Sequence, residues 1–148
     1  MKKYQALAFR NLSAEINLAK VSKELRKAII KNEATISKLA TELQEQSKAM
    51  ADRLFKGREA ERDEVVKLRQ EYTKDKSEAI LAKLLEHKDF FATEVEWQNA
   101  MNDLYNEDYT VEVEKVDEDE FLDALSNAEI VLKTNDYTSI ECFFESEN

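Results

Sequence analysis

The chain has 148 residues, the size of one domain or of a small domain carrying a long helical extension. One glycine, no proline and one cysteine exclude glycine-rich phosphate loops, an internal disulfide and a cysteine-rich metal site. The net charge of −10 hides a polarised chain, with 12 basic and 6 acidic side chains in residues 1–56 but 2 and 18 in residues 89–148; such asymmetry speaks of partners rather than fold.

From Ser13 to about Phe55 the apolar residues recur at helical spacing. Leu18, Val21, Leu25, Ile29, Ile36, Leu39, Leu43, Met50 and Leu54 fall within an arc of roughly 80°. The spacing predicts one long helix, with Ser13 as its N-cap, extending roughly 60 Å at 1.5 Å per residue. Its stripe needs either a return helix of the same chain or a second chain, as in a coiled coil. Lys20, Lys23, Lys27, Lys31 and Lys38 form a second stripe on the opposite face. A solvated helix face explains them best, and a track for phosphates or for an acidic protein surface is the alternative.

The return turn falls either at Gly57 or near residue 75, in the polar stretch Thr73-Lys74-Asp75-Lys76-Ser77; a lone glycine inside a helix costs only about 1 kcal/mol, so Gly57 need not be a break. Between them, Glu59 to Glu71 reads as a charged helix with Val65, Leu68 and Tyr72 on one face. Ser77 suits the cap of a further helix through Ile80, Leu81, Leu84, Leu85, Phe91 and Val95 to about Tyr105. Phe90, Phe91, Trp97, Met101, Leu104 and Tyr105 concentrate aromatic surface. That cluster reads as core, with Trp97 as the preferred interface residue.

Beyond Tyr105 the pattern changes. Tyr109-Thr110-Val111-Glu112-Val113-Glu114 alternates at the strand period, with Tyr109, Val111 and Val113 inward. Asp117 and Glu120 have capping-box spacing ahead of a helix at 118–127. Residues 129–133 read as a strand, Asn135-Asp136 as a tight turn, and residues 137–144 as a second strand. A helix competes for the last segment, because Tyr137, Ile140 and Phe144 also have helical spacing. The expected architecture is mainly α. It comprises a helical hairpin or coiled-coil region at 1–105 and a small acidic β-α-β-β unit at 106–148.

Several chemistries fail on position. If Glu120 closed an EF-hand loop, Tyr109, Val111 and Val113 would occupy ligand positions and Glu114 the glycine position. His87 is the only histidine, too few for a typical zinc site. Pairing it with Cys142 as base and nucleophile is far less favoured than a Cys142 buried as a small hydrophobe. Neither a cofactor nor an enzymatic activity is expected. No apolar run approaches the roughly 20 residues of a membrane span. The chain start lacks a signal-peptide core, and one cysteine fits a reducing compartment, so a cytoplasmic protein is expected.

The order of parts resembles small bacteriophage proteins of unknown function. In them a charged helical hairpin precedes an acidic, aromatic helix, like Phe90 to Tyr105. A short acidic strand then leads into a capped helix, like Val111 to Leu125. The resemblance covers residues 77–127 and has no diagnostic motif. It implies a phage origin, in host cytoplasm or virion, and transfers no catalytic residue.

The leading functional expectation is a non-enzymatic helical interaction protein, a structural or assembly component. It would form homo-oligomers or bind a protein partner through the apolar stripe and Trp97. Its acidic end, Asp117, Glu118, Asp119 and Glu120, would dock onto a basic surface. The alternative is an acidic inhibitor that imitates nucleic acid and blocks a host defence enzyme. Direct nucleic-acid binding by the lysine stripe ranks third.

Overall fold

The computed structural model describes residues 1–146. It is mainly helical, with seven α-helices among those residues: α1 (Lys3–Ser13), α2 (Lys23–Leu54), α3 (Glu59–Lys74), α4 (Glu78–Leu85), α5 (Lys88–Tyr105), α6 (Glu118–Asn127) and α7 (Thr134–Ile140). The chain divides into two compact units. One is Met1–Leu43 together with the chain from Leu104; the other is Gln44–Asp103. One division, at 103/104, lies near the expected boundary at 105/106, but residues 1–43 group with the C-terminal part and not with the rest of the helical region. The basic start and the acidic end of the chain belong to the same unit.

In the first unit the helix expected from Ser13 is interrupted. Ser13 is the last residue of α1 and is buried, so it caps nothing. Asn17 instead caps a short 3-10 turn at Leu18–Lys20, accepting the Ala19 N–H at 3.1 Å. The Ser22 hydroxyl then accepts the Leu25 N–H at 3.1 Å and starts α2. At 32 residues α2 is about 48 Å long, shorter than expected. Leu18, Val21 and Lys20 therefore precede α2.

Ala6 and Phe9 of α1 are buried, and α1 packs on α7. The Phe9 ring stacks on Phe121 of α6 and on Phe143, with centroids 5.1 and 4.0 Å away. Around this aromatic column lie Val116, Leu125, Ile140 and Phe144, all buried. Burying a side chain of that size is worth about 1.5–3 kcal/mol.

The expected β-α-β-β unit is not formed: among the described residues there is no sheet, and only two isolated bridges occur, Lys2 with Asp108 and Val116 with Phe144. Residues 109–114 keep the expected alternation of half-buried Tyr109, Val111 and Val113 with exposed Thr110, Glu112 and Glu114. They do so as a single extended segment. The strand expected at 129–133 fails for a specific reason. Helix α6 ends in a Schellman motif, with Glu129 N–H on Ser126 O and Ile130 N–H on Leu125 O, both at 3.0 Å. Glu129 has φ 61°, which belongs to a helix cap and not to a strand. The strand expected at 137–144 is replaced by α7 and a 3-10 turn at Glu141–Phe143. Asp136 draws the chain into a helix by accepting the Lys133 N–H at 3.0 Å. Asn135-Asp136 is thus a helix start, not a hairpin turn.

In the second unit the helix is broken at both of the alternative turn positions. Gly57 takes φ 76° after α2 ends, and residues 75–77 separate α3 from α4. Ser77 caps α4, its hydroxyl accepting the Ile80 N–H at 3.2 Å. A further turn at Glu86-His87 splits the expected long helix into α4 and α5. Val65 and Leu68 of α3, Leu84 of α4, and Phe90 and Met101 of α5 are buried. Arg69 of α3 grips Glu94 of α5 through two N–H donors, at 2.9 and 2.6 Å.

Candidate functional site

The apolar stripe of α2 is occupied within its own chain. Leu25, Ile29, Ile36, Leu39 and Leu43 are each at most 5% exposed in a single copy. Leu18 and Val21 are half-buried. A face already covered by the same polypeptide cannot also serve as a coiled-coil seam without unfolding part of the unit.

The opposite face is wet. Lys20, Lys23, Lys27, Lys31 and Lys38 are all exposed. Lys31 pairs with Glu114 at 3.1 Å; the other four have no ion pair among the described residues. Lys2 and Lys3 pair with Asp108 and Glu107. Part of the charge asymmetry along the sequence is therefore answered inside one unit.

Three residues of the acidic quartet have internal roles. Asp117 caps α6, accepting the Glu120 N–H at 2.8 Å. Glu118 accepts a hydrogen bond from the Tyr137 hydroxyl, which holds the Tyr137 pKa above its usual value. Glu120 does not close the expected capping box. Its carboxylate reaches across to α2, accepting the Ser22 N–H at 2.8 Å and the Ser22 hydroxyl at 3.0 Å. Asp119 alone of the four is exposed without such a partner. Three of these four carboxylates are engaged within the chain, while Asp117 and Asp119 are exposed.

His87 lies between two carboxylates, Nδ1 3.3 Å from Glu61 and Nε2 3.8 Å from Glu64. No cluster suited to a metal ion occurs among the described residues. Burial pushes the Cys142 thiol up, the opposite of what a thiolate nucleophile requires. No helix among those residues is long and apolar enough to cross a membrane.

Two features of the second unit stand out. The first is α4, whose sequence Glu-Ala-Ile-Leu-Ala-Lys-Leu-Leu is strongly apolar. Only Leu84 is buried; Leu81 and Leu85, one turn apart, are 39% and 49% exposed. The sequence places these residues on a helix without saying which of them are buried. Four large apolar residues in eight span too wide an arc for one buried face.

The second is a pocket of about 130 Å³ lined by Ala51, Phe55, Arg62, Phe90, Glu94, Trp97 and Gln98. Trp97 is half-buried there, and its indole N–H is shielded from water without a hydrogen-bond acceptor among the described residues. Sequence reasoning singled out Trp97 but not Phe55 or Arg62, which come from the end of α2's turn and from α3.

Comparison with protein-family models, with curated proteins and with solved structures finds no match.

Proposed function

We propose that this chain is a non-enzymatic helical interaction protein that assembles with copies of itself, as a structural or assembly component of the kind its resemblance to phage proteins implies. The carrying observation is the apolar ridge Leu81–Leu85 on α4. An exposed pair of leucines on one helix face marks a contact surface more readily than scattered single hydrophobes do. With the α2 stripe occupied, this ridge takes over the role the sequence gave to that stripe. The exposed Lys20, Lys23, Lys27 and Lys38 and the exposed Asp119, Asp123 and Glu141 offer complementary charge to orient neighbouring copies.

Sedimentation of the full chain tests this. The expected result is an oligomer that loosens with salt and is reduced to monomer by Leu81→Glu with Leu85→Glu. Both side chains are exposed in the single copy, so the double variant should still fold. A wild-type chain that sediments as a monomer at every concentration would overturn the reading.

A further inference from the structure

We propose that the pocket beside Trp97 binds a single-ring aromatic carboxylate. Three aromatic side chains wall it: Phe55, Phe90 and Trp97. The Phe55 and Phe90 rings lie 5.4 Å apart and inclined at 46°, and Phe90 is 2% exposed, so the floor is fixed. The volume is about 130 Å³. An engineered apolar cavity of about 150 Å³ takes one benzene. One ring therefore fits.

The polar groups select the substituent. The Trp97 indole N–H has no acceptor among the described residues, and a shielded donor left unpaired is costly. Glu94 adds no free negative charge, because both its oxygens are held by Arg69. Arg62 has no carboxylate partner among the described residues; its guanidinium carbon lies 6.0 Å from the centroid of the Phe55 ring. The pocket is thus lined by Trp97, whose shielded N–H is unpaired among the described residues, and by Arg62, which brings a positive charge to its apolar walls. A cationic ring is repelled by Arg62. A neutral ring leaves both groups unanswered. A carboxylate answers both, with the charge-assisted bonds that guanidinium groups favour. Arg62 and Gln98 are both exposed.

The chain has one tryptophan, so its indole fluorescence and its indole N–H resonance report on this pocket alone. Benzoate titrated into the full chain should shift both signals saturably. Benzylammonium should bind far more weakly. Arg62→Gln, a change at an exposed residue, should weaken benzoate roughly tenfold. Absence of a saturable shift, equal binding of benzylammonium, or an unaffected Arg62→Gln variant would each overturn the assignment.

Discussion

Asn32 and Glu114 exchange two hydrogen bonds. The Asn32 amide nitrogen donates to the Glu114 carbonyl at 2.9 Å, and the Glu114 N–H donates to the Asn32 carbonyl oxygen at 2.8 Å. Asn32 is only 1% exposed, so a side-chain amide on α2 stands in for the neighbouring strand that residues 110–115 lack. This pairing ties the acidic extended segment to the basic helix, and Lys31 on Glu114 reinforces it.

Asn32→Ala should therefore destabilise the chain by about 2–3 kcal/mol, because it leaves the backbone groups of Glu114 without partners. Asn32→Asp keeps the acceptor but loses the donor and adds a buried charge, so it should cost at least as much. Urea unfolding gives the loss. Amide exchange should show Glu114 N–H losing protection ahead of the rest of the unit. A loss below about 0.5 kcal/mol for Asn32→Ala would contradict the role given to the pair.

Glu129 occupies the C′ position of the Schellman motif that ends α6, at a φ of 61° that glycine adopts without strain. Glu129→Gly should raise stability by about 1 kcal/mol, since the left-handed conformation costs an L-residue roughly that much. The same left-handed conformation predicts the reverse at Gly57, where φ is 76° and nothing stands within 4 Å of an added Cβ. Gly57→Ala should lose about 1 kcal/mol by conformation alone. Thermal unfolding of the two variants should move in opposite directions.

These cases show what was legible in the sequence. Helix α6 was read to its residue limits, because Asp117 and the apolar period both mark it. Ser77 was read as a cap for the same reason. The alternation at 109–114 was read correctly as a burial pattern, but alternation does not say whether a partner strand exists. Here Asn32, a polar residue inside an apolar stripe, supplies the partner. The long helix was over-extended because Leu18 and Val21 lie in phase with α2, while Asn17 and Ser22 stop and restart the chain between α1 and α2. The Trp97 pocket was half legible: Trp97 itself stood out, whereas Arg62 and Phe55 reach it only through the turn at Gly57.

Ser22 is a second tie between the basic and acidic segments of the first unit. Its hydroxyl caps α2 while Glu120 accepts both its N–H and its hydroxyl. Ser22→Ala should cost about 1–2 kcal/mol, the range for a lost N-cap. Glu120→Gln keeps one acceptor and should cost less than Glu120→Ala. A double-mutant cycle between Ser22→Ala and Glu120→Ala should show coupling of at least about 0.5 kcal/mol. Additive losses would mean that the cap and the carboxylate act independently.

Alkaline pH should destabilise the first unit through three groups. The Tyr137 pKa is raised by its hydrogen bond to Glu118, the Tyr109 pKa by burial and then by Glu42, and the Cys142 pKa by burial. Each group holds its proton more tightly folded than unfolded. Their contribution is therefore complete below the ordinary values of 9.0 for cysteine and 10.0 for tyrosine, and is lost as pH rises through the higher folded values. Stability should fall from about pH 9 upward. Tyr137→Phe removes one proton from this linkage without altering charge at neutral pH, so its curve of urea midpoint against pH should decline less steeply on the alkaline side. Asp108 works in the other direction. Lys2 holds its pKa down, so its contribution is present above the ordinary value of 3.8 and is lost as pH falls below it. Lys2→Met should flatten the acid limb and leave the alkaline limb unchanged. Identical alkaline limbs for wild type and Tyr137→Phe would show that the Tyr137–Glu118 bond does not persist in solution.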